Sequence, residues 1–332
     1  MCAAHPVATR ADLAGLARAA VGGGRRLTGV SRLRGGTSKG VYRLAFDDGG
    51  TAVAYLWAEG ENYWPADADD PASPFAPASG LALFEAAHRE LEAAGVRTPR
   101  VHLLDRSGRH YPADAAVVED VPGGDLKSLL DQDPEAAARA VARLPDALSA
   151  MYQRQSHRYG KVALVRNGDA ATGSSCERVV FDRARAHLAE AAWREPRIGA
   201  VRSRLESVLS ELAAQVRPRR DYRLIHGELG PEHLLIDRDG APVLIDIEGL
   251  MFFDAEWEHA FLRMRFGEHY RRLEQPGLDE HRMSLYTLAW RLSFVTGPLR
   301  LLDGDFPDRD GMMRIVEHNV RQALTFLPVN GS

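Results

Sequence analysis

The sequence predicts an α+β protein of two lobes, a small β-rich lobe followed by a larger, mostly helical one. Three observations predict it. Up to residue 121 the apolar residues fall in runs of strand length, with partial period-2 alternation and one helical stretch among them. A Pro122-Gly123-Gly124 break then punctuates the chain. Beyond it the apolar spacing is helical, apart from a short β-rich region over 222–248. The lobes are therefore drawn at 1–121 and 122–332. A length of 332 residues suits two domains. With 45% hydrophobic and 27% charged residues the chain can bury a substantial core, which excludes a disordered tail, a fibre or a membrane-embedded protein.

Residues 27–34 and 41–47 read as the first two strands, separated by Gly35-Gly36-Thr37-Ser38-Lys39-Gly40. The turn Asp47-Asp48-Gly49-Gly50 leads into a third strand, Thr51 to Trp57. Residues 58–80 have no period. Four prolines and the acids Glu59, Glu61, Asp67, Asp69 and Asp70 make them a long loop or flap. Leu81, Phe84, Ala87, Leu91 and Ala94 then share one helical face, and Gly95 suits the C-terminal cap. Strands over Val101–Asp105 and Ala115–Glu119 complete the first lobe. Helical patterns follow over 125–156 and 178–216, with a polar stretch at 167–175 between them, and again over 254–266, 281–299 and 310–327.

A net charge of -4 argues against broad electrostatic binding to nucleic acid or to an anionic membrane. The two cysteines, Cys2 and Cys176, lack partners at zinc-ligand spacing and read as reduced thiols. The first thirty residues carry arginines and acids and no apolar run of the signal-peptide kind, so the expected compartment is the cytoplasm. Only three lysines occur, Lys39, Lys127 and Lys161, which makes the place of each worth weighing.

The run most loaded with chemistry is 224–249. An apolar strand enters a tight turn with Glu228 at its tip, an Asp239-Gly240 hairpin returns the chain, and Asp246 and Glu248 follow the second strand. The hairpin can bring Asp246 and Glu248 beside Glu228 and His233. Carboxylates at close range repel unless a cation lies between them, and magnesium with bound phosphates is the natural occupant.

These residues carry a resemblance. His226-Gly227-Glu228-Leu229 is similar to the catalytic loop, and Asp246-Ile247-Glu248-Gly249 to the metal motif, of the aminoglycoside phosphotransferase and choline kinase-like family, within the protein-kinase-like fold. Gly35 to Arg43 resembles that family's glycine loop, and Val117 to Gly123 its adenine-binding hinge. The match spans nearly the whole chain in order. It implies an ATP- or GTP-dependent, Mg2+-requiring enzyme that phosphorylates a hydroxyl of a small molecule, in antibiotic resistance, self-protection or natural-product biosynthesis. By resemblance Glu228 is the catalytic carboxylate and His226 a neutral buttress of its loop. Asp246 and Glu248 hold the metal. Gly35, Gly36, Thr37, Ser38 and Lys39 cradle phosphates. Val41 and Val118 sandwich the base, and the backbones of Glu119 and Val121 meet its edge. Asp254 braces the catalytic loop or caps the next helix.

The chain departs from the family pattern in three places. Glu228 stands where the family has Asp. His233 stands at the Asn position, where imidazole is a poor magnesium ligand; it is a metal ligand, a contact of a phosphate or of Glu228, or packing under the loop. The third strand, Val53-Ala54-Tyr55-Leu56-Trp57, lacks the expected cation. Lys39 is the candidate replacement, with Glu85 as its partner and Glu90 the alternative. The acids of 58–70 with Asp303, Asp305 and Asp308 either attract a cationic substrate or form solvated loops. Tyr159-Gly160-Lys161, Trp64, Trp257 and Trp290 are candidate substrate contacts or plain structure. Two other functions fit the same residues: a pseudokinase-like nucleotide-binding protein, and a primary-metabolism sugar or amino-alcohol kinase.

Overall fold

A computed structural model describes residues 7–33, 36–64, 70–169 and 171–328. By contact they divide into two compact units. The first comprises the described residues of Met1–Trp64, Pro77–Met151 and Pro231–Leu250, and the second those of Pro65–Ala76, Tyr152–Gly230 and Met251–Ser332. The first thus runs on past residue 121 and takes in a later hairpin.

The first unit opens with a helix that the strand-rich reading of this region passed over. Helix α1 (Arg10–Val21) is started by a capping box in which Thr9 and Asp12 bond reciprocally. Five strands follow: β1 (Leu27–Arg32), β2 (Gly40–Phe46), β3 (Thr51–Trp57), β4 (Val101–Asp105) and β5 (Asp114–Glu119). They pair antiparallel in the order β1-β2-β3-β5-β4. Between β3 and β4 lies helix α2 (Leu81–Ala93). Period-2 alternation gives the sheet two functions. Tyr42, Leu44, Ala52, Ala54, Leu56 and Val117 face α1 and form a core with Leu13, Leu16 and Ala17. The register pairs Val41 with Tyr55 and Val53 with Val118, so these four share the opposite face. Phe84 of α2 covers part of that face, its ring 5.6 Å from Tyr55.

Past β5 the helical run expected over 125–156 is broken at Asp133-Pro134 into α3 (Leu126–Gln132) and α4 (Pro134–Gln153). Proline lacks the N–H that would continue one helix and is at ease in the first turn of the next. The hairpin Leu234–Ile236/Pro242–Leu244 belongs to this unit. Its turn is fixed by Asp237, whose Oδ1 accepts the backbone N–H of Asp239 and Ala241.

The second unit is mostly helical: α5 (Cys176–Arg194), α6 (Arg202–Gln215), α7 (Ala255–Phe266), α8 (Glu280–Asp303) and α9 (Arg309–Leu324). Pro196 divides the helical stretch expected over 178–216. A small antiparallel sheet lies among the helices, with Tyr222–Ile225 paired to Met251–Phe253. Cys176 is buried and free, and Cys2 lies outside the described residues. Among the described residues no helix is long and apolar enough to cross a membrane.

Candidate active site

The site residues of the first unit gather around Lys39. This lysine ends the glycine loop, one residue before β2, on the sheet face that carries Val41 and Tyr55. Its ammonium passes over the Tyr55 ring, 5.4 Å from the centroid, and reaches Oδ1 of Asp246 at 2.7 Å and Oε1 of Glu248 at 2.5 Å. Tyr55 thus lies on β3 beneath the ammonium of a lysine that immediately precedes β2. Burial alone would lower the lysine's pKa; the charges of Asp246 and Glu248 outweigh it and hold the ammonium protonated. Burial raises the carboxyl of Glu248, opposed by the charge of Lys39.

The chain sets this cluster by local means. Asp246 has φ 59° and ψ 46°, and it is the one non-glycine residue at positive φ among those described. Aspartate tolerates this conformation better than most residues. The left-handed step turns the chain out of the hairpin into the short turn Ile247–Gly249, against which α2 packs. Ile245 N–H bonds the carbonyl of His233 at 3.0 Å, and His233 Nε2 lies 3.6 Å from Asp246 Oδ2. His233 is thus placed as a partner of Asp246.

Both carboxylates suit a hard divalent cation, and Glu248 Oε2 is buried without a hydrogen-bond partner. Among the described residues no group of three or more His, Cys, Asp or Glu side chains converges as a metal cage. Magnesium takes one or two carboxylates and leaves its other positions to water and phosphate. Asp246 and Glu248 are the residues that would hold it.

The glycine loop is fastened down over its described part, Gly36 to Gly40; Gly35 lies outside the described residues. Thr37 accepts the N–H of Tyr63 at its carbonyl and the indole N–H of Trp64 at Oγ1, and the Ser38 carbonyl accepts from Ser79. Glu61 lies beneath, buried, bonded to the Tyr42 hydroxyl and paired with Arg32 at 2.7 Å. A Cβ on residue 40 would meet the Glu61 carboxyl at 2.6 Å, so Gly40 makes room for this buttress. Glu61 therefore does not belong to a solvated acidic flap as the sequence suggested. An acid read among other acids carried no sign of its burial.

Other expectations need correcting. Glu85 does not meet Lys39: it bonds Arg89 and Arg106 on the surface of α2, because the lysine's partners come from the Asp246–Glu248 segment. Glu90 is buried on the same helix. The backbone roles expected of Glu119 and Val121 are untouched by this: the Glu119 side chain is engaged by Arg97 and its backbone N–H by the Arg100 carbonyl, and Val121 is buried. Of the acids considered for a cationic substrate, Asp303 pairs with Arg194, and Asp308 caps α9. Asp67 and Asp69 lie outside the described residues. Trp257 and Trp290 stack in the core of the second unit. Lys161 is buried and donates to the Ala76 carbonyl, and Tyr159 donates to the Thr172 carbonyl.

Glu228 and His226 belong to the second unit. The strand Tyr222–Ile225 ends in buried His226, and Gly227 at φ 96° turns the chain so that Glu228 emerges exposed between buried neighbours. The turn is held from α7. Fully buried Glu258 accepts the N–H of Gly227 at 2.9 Å through Oε2 and that of Leu229 at 3.1 Å through Oε1. Burial lifts its pKa to about 7, although the backbone donors pull it down. Glu258, not Asp254, is the brace. Asp254 sits at the N-cap of α7 without a side-chain capping bond, and pairs with Arg282 at 2.5 Å and with the Tyr286 hydroxyl. An acid two positions from the next acid, inside the apolar run Trp257 to Leu262, was the signal that could have revealed Glu258.

The chain is similar to known proteins in sequence family and in fold. Residues 29–291 match the model of the phosphotransferase enzyme family, APH. None of the curated proteins matches in sequence. Solved structures do match in fold. Spectinomycin phosphotransferase APH(9)-Ia, in complex with ADP and spectinomycin, superposes with TM-score 0.64 at 13% identity, covering 97% of this chain and 99% of that one. A thermostable mutant of aminoglycoside phosphotransferase APH(4)-Ia superposes with TM-score 0.61 at 18% identity, covering 90% and 95%. LicA in complex with AMP gives 0.59 at 13%, covering 92% and 94%.

Proposed function

The chain belongs to the phosphotransferase enzyme family and is a small-molecule kinase of protein-kinase-like fold, and from that premise we propose that it moves the γ-phosphoryl group of ATP to a hydroxyl of an antibiotic or related natural product. The observation that carries this reading is the meeting of the glycine-loop ammonium of Lys39 with the carboxylates of Asp246 and Glu248. A polyphosphate needs such a set: backbone and cation from the loop, and acids able to hold a divalent ion.

Magnesium, when bound, neutralises charge on the donor phosphates. The residues of the chain do the rest. Thr37, Ser38 and Lys39 position the phosphates, and Val41 with Val118 offers the base an apolar face. Glu228 orients the acceptor hydroxyl and takes its proton as the oxygen–phosphorus bond forms. The bond between the γ-phosphorus and the bridging oxygen breaks, and ADP leaves. Positioning and charge neutralisation supply most of the rate.

The test is mass spectrometry across a panel of hydroxylated antibiotics that includes hygromycin B and spectinomycin, with ATP, with GTP and without metal. Phosphorylation adds roughly 80 Da. A product that forms with wild type and fails with Glu228→Gln supports the assignment; equal turnover by the variant removes Glu228 from its role. A rival reading, nucleotide binding without transfer, is favoured by Tyr55 on β3 and by His233. It predicts a nucleotide-induced thermal shift that magnesium does not enlarge.

A further inference from the structure

Lys39 and a divalent ion ask for the same oxygens. The ammonium lies 2.7 Å from Asp246 Oδ1 and 2.5 Å from Glu248 Oε1, with the lysine and Glu248 side chains only 7% and 2% exposed. A magnesium ion bound by those oxygens would stand roughly 2.1 Å from them, which leaves no room for the ammonium. Charge decides which cation suits the pair. One ammonium against two carboxylates leaves a net negative charge, and Glu248 Oε2 stays buried without a hydrogen-bond partner. A divalent ion would balance both. The displaced ammonium would not travel far. It is tethered to a loop pinned at Thr37 and Ser38 by Tyr63, Trp64 and Ser79. A new anion must then meet it at that loop, and the phosphates of the donor are such an anion.

We propose that Lys39 is an exchangeable placeholder: its ammonium occupies the divalent-ion seat of Asp246 and Glu248 in the nucleotide-free protein and passes to the donor phosphates when the metal arrives. The inference rests on the proposed function for the identity of that anion. It makes metal and nucleotide bind synergistically, each clearing the way for the other. It also gives this lysine a different task from a fixed phosphate ligand, since it competes with the metal for the acids, and polyphosphate tips that competition toward the metal.

The experiment uses the full nucleotide-free chain and Mn2+ as the probe, followed by electron paramagnetic resonance. Lys39→Met should bind Mn2+ at least about tenfold more tightly than wild type. Adding Asp246→Asn to that variant should abolish the gain. Arg43→Met removes a charge from the adjoining strand β2 that is paired elsewhere, with Asp120, and should leave the affinity within about twofold. Equal affinity of wild type and Lys39→Met overturns the proposal, as does an equal gain from Arg43→Met, which would make the effect one of general charge. A second measurement needs no variant. With three lysines in the chain, acetic anhydride labelling read by peptide mass spectrometry resolves each one. Lys39 should label more slowly than exposed Lys127 without metal and faster once Mn2+ is added, with buried Lys161 unchanged. A Lys39 rate indifferent to Mn2+ overturns the exchange. Neither readout involves transfer. A chain that passes both and phosphorylates nothing keeps the exchange and loses the proposed function; the converse result does the opposite.

Discussion

Replacing Glu258 by glutamine tests how the turn that carries Glu228 is held. The wild-type carboxylate presents an oxygen to each of two backbone donors, Gly227 N–H at 2.9 Å and Leu229 N–H at 3.1 Å. Glutamine keeps one oxygen and puts an NH2 in place of the other, so one buried N–H then faces a donor. An unsatisfied buried donor costs about 1–3 kcal/mol, and a bond to a charged acceptor is worth about 1.5–3 kcal/mol. Against this stands the burial of the charge. The pKa of Glu258 is lifted from 4.5 to about 7, so the folded state holds a proton that the unfolded state has released between those values. Stability from this residue is therefore greatest below pH 4.5 and falls as pH rises to 7, the reverse of a salt-bridged carboxylate. At 1.36 kcal/mol per pKa unit the fall amounts to about 3 kcal/mol.

Urea unfolding of wild type and Glu258→Gln at several pH values between 5 and 8 checks both parts. The stability gap between wild type and variant should shrink by about 3 kcal/mol across that range, because only the wild type carries the titrating group. In turnover the variant should lose kcat, by on the order of a hundredfold for an ångström-scale shift of Glu228, and keep its nucleotide KM. A gap that does not change with pH would refute the burial argument. An unchanged kcat would refute the claim that Glu258 positions the turn.

Three more outcomes follow from the same geometry. Lys39→Ala should raise the nucleotide KM by about tenfold or more in steady-state kinetics, since a buried charge aimed at the phosphates is lost; an unaltered KM makes the lysine a bystander. Asp246→Asn should fold like wild type and lose divalent-ion binding by calorimetry, while Asp246→Ala should cost about 1 kcal/mol more in stability, because asparagine accepts the left-handed backbone at φ 59° and alanine does not. Asp254→Asn should destabilise the second unit by about 3 kcal/mol in thermal unfolding, because Arg282, 1% exposed, loses its nearer ion partner in the interior and keeps Glu177 at 3.4 Å.

What the sequence revealed and what it hid divide along a physical line. Features written in contiguous residues were legible. The five strands, the helix over Leu81–Ala93 and the Asp239-Gly240 turn follow from period and turn chemistry, and family likeness supplied the motif of Asp246 and Glu248. Features that depend on which distant acid meets which distant base were not. Glu61 and Glu85 are both glutamates near an end of an element, yet one is buried beneath the glycine loop and the other bonds two surface arginines. Only Glu85 has a local sign, Arg89 four residues on along the same helix; Glu61 meets Arg32 and Tyr42 from far along the chain. Helix α1 was passed over because its apolar residues Leu13, Leu16 and Ala17 are few, and its start lies in a reciprocal bond between Thr9 and Asp12 that reads as ordinary polarity. The lysine tells the same story from the other side. Absence of a cation on β3 was visible at once, and Lys39 was an obvious substitute. Its partners could not be read, because they lie over two hundred positions away, 207 for Asp246 and 209 for Glu248. The face of β2 makes the choice. With Val41 opposite Tyr55, the residue two before it points along the face of β3 that α2 partly covers, and α2 also packs on the turn that carries Glu248. Strand parity therefore fixes the direction of the ammonium, and a side chain one position later would have run into Glu61 and Tyr42 on the opposite face instead.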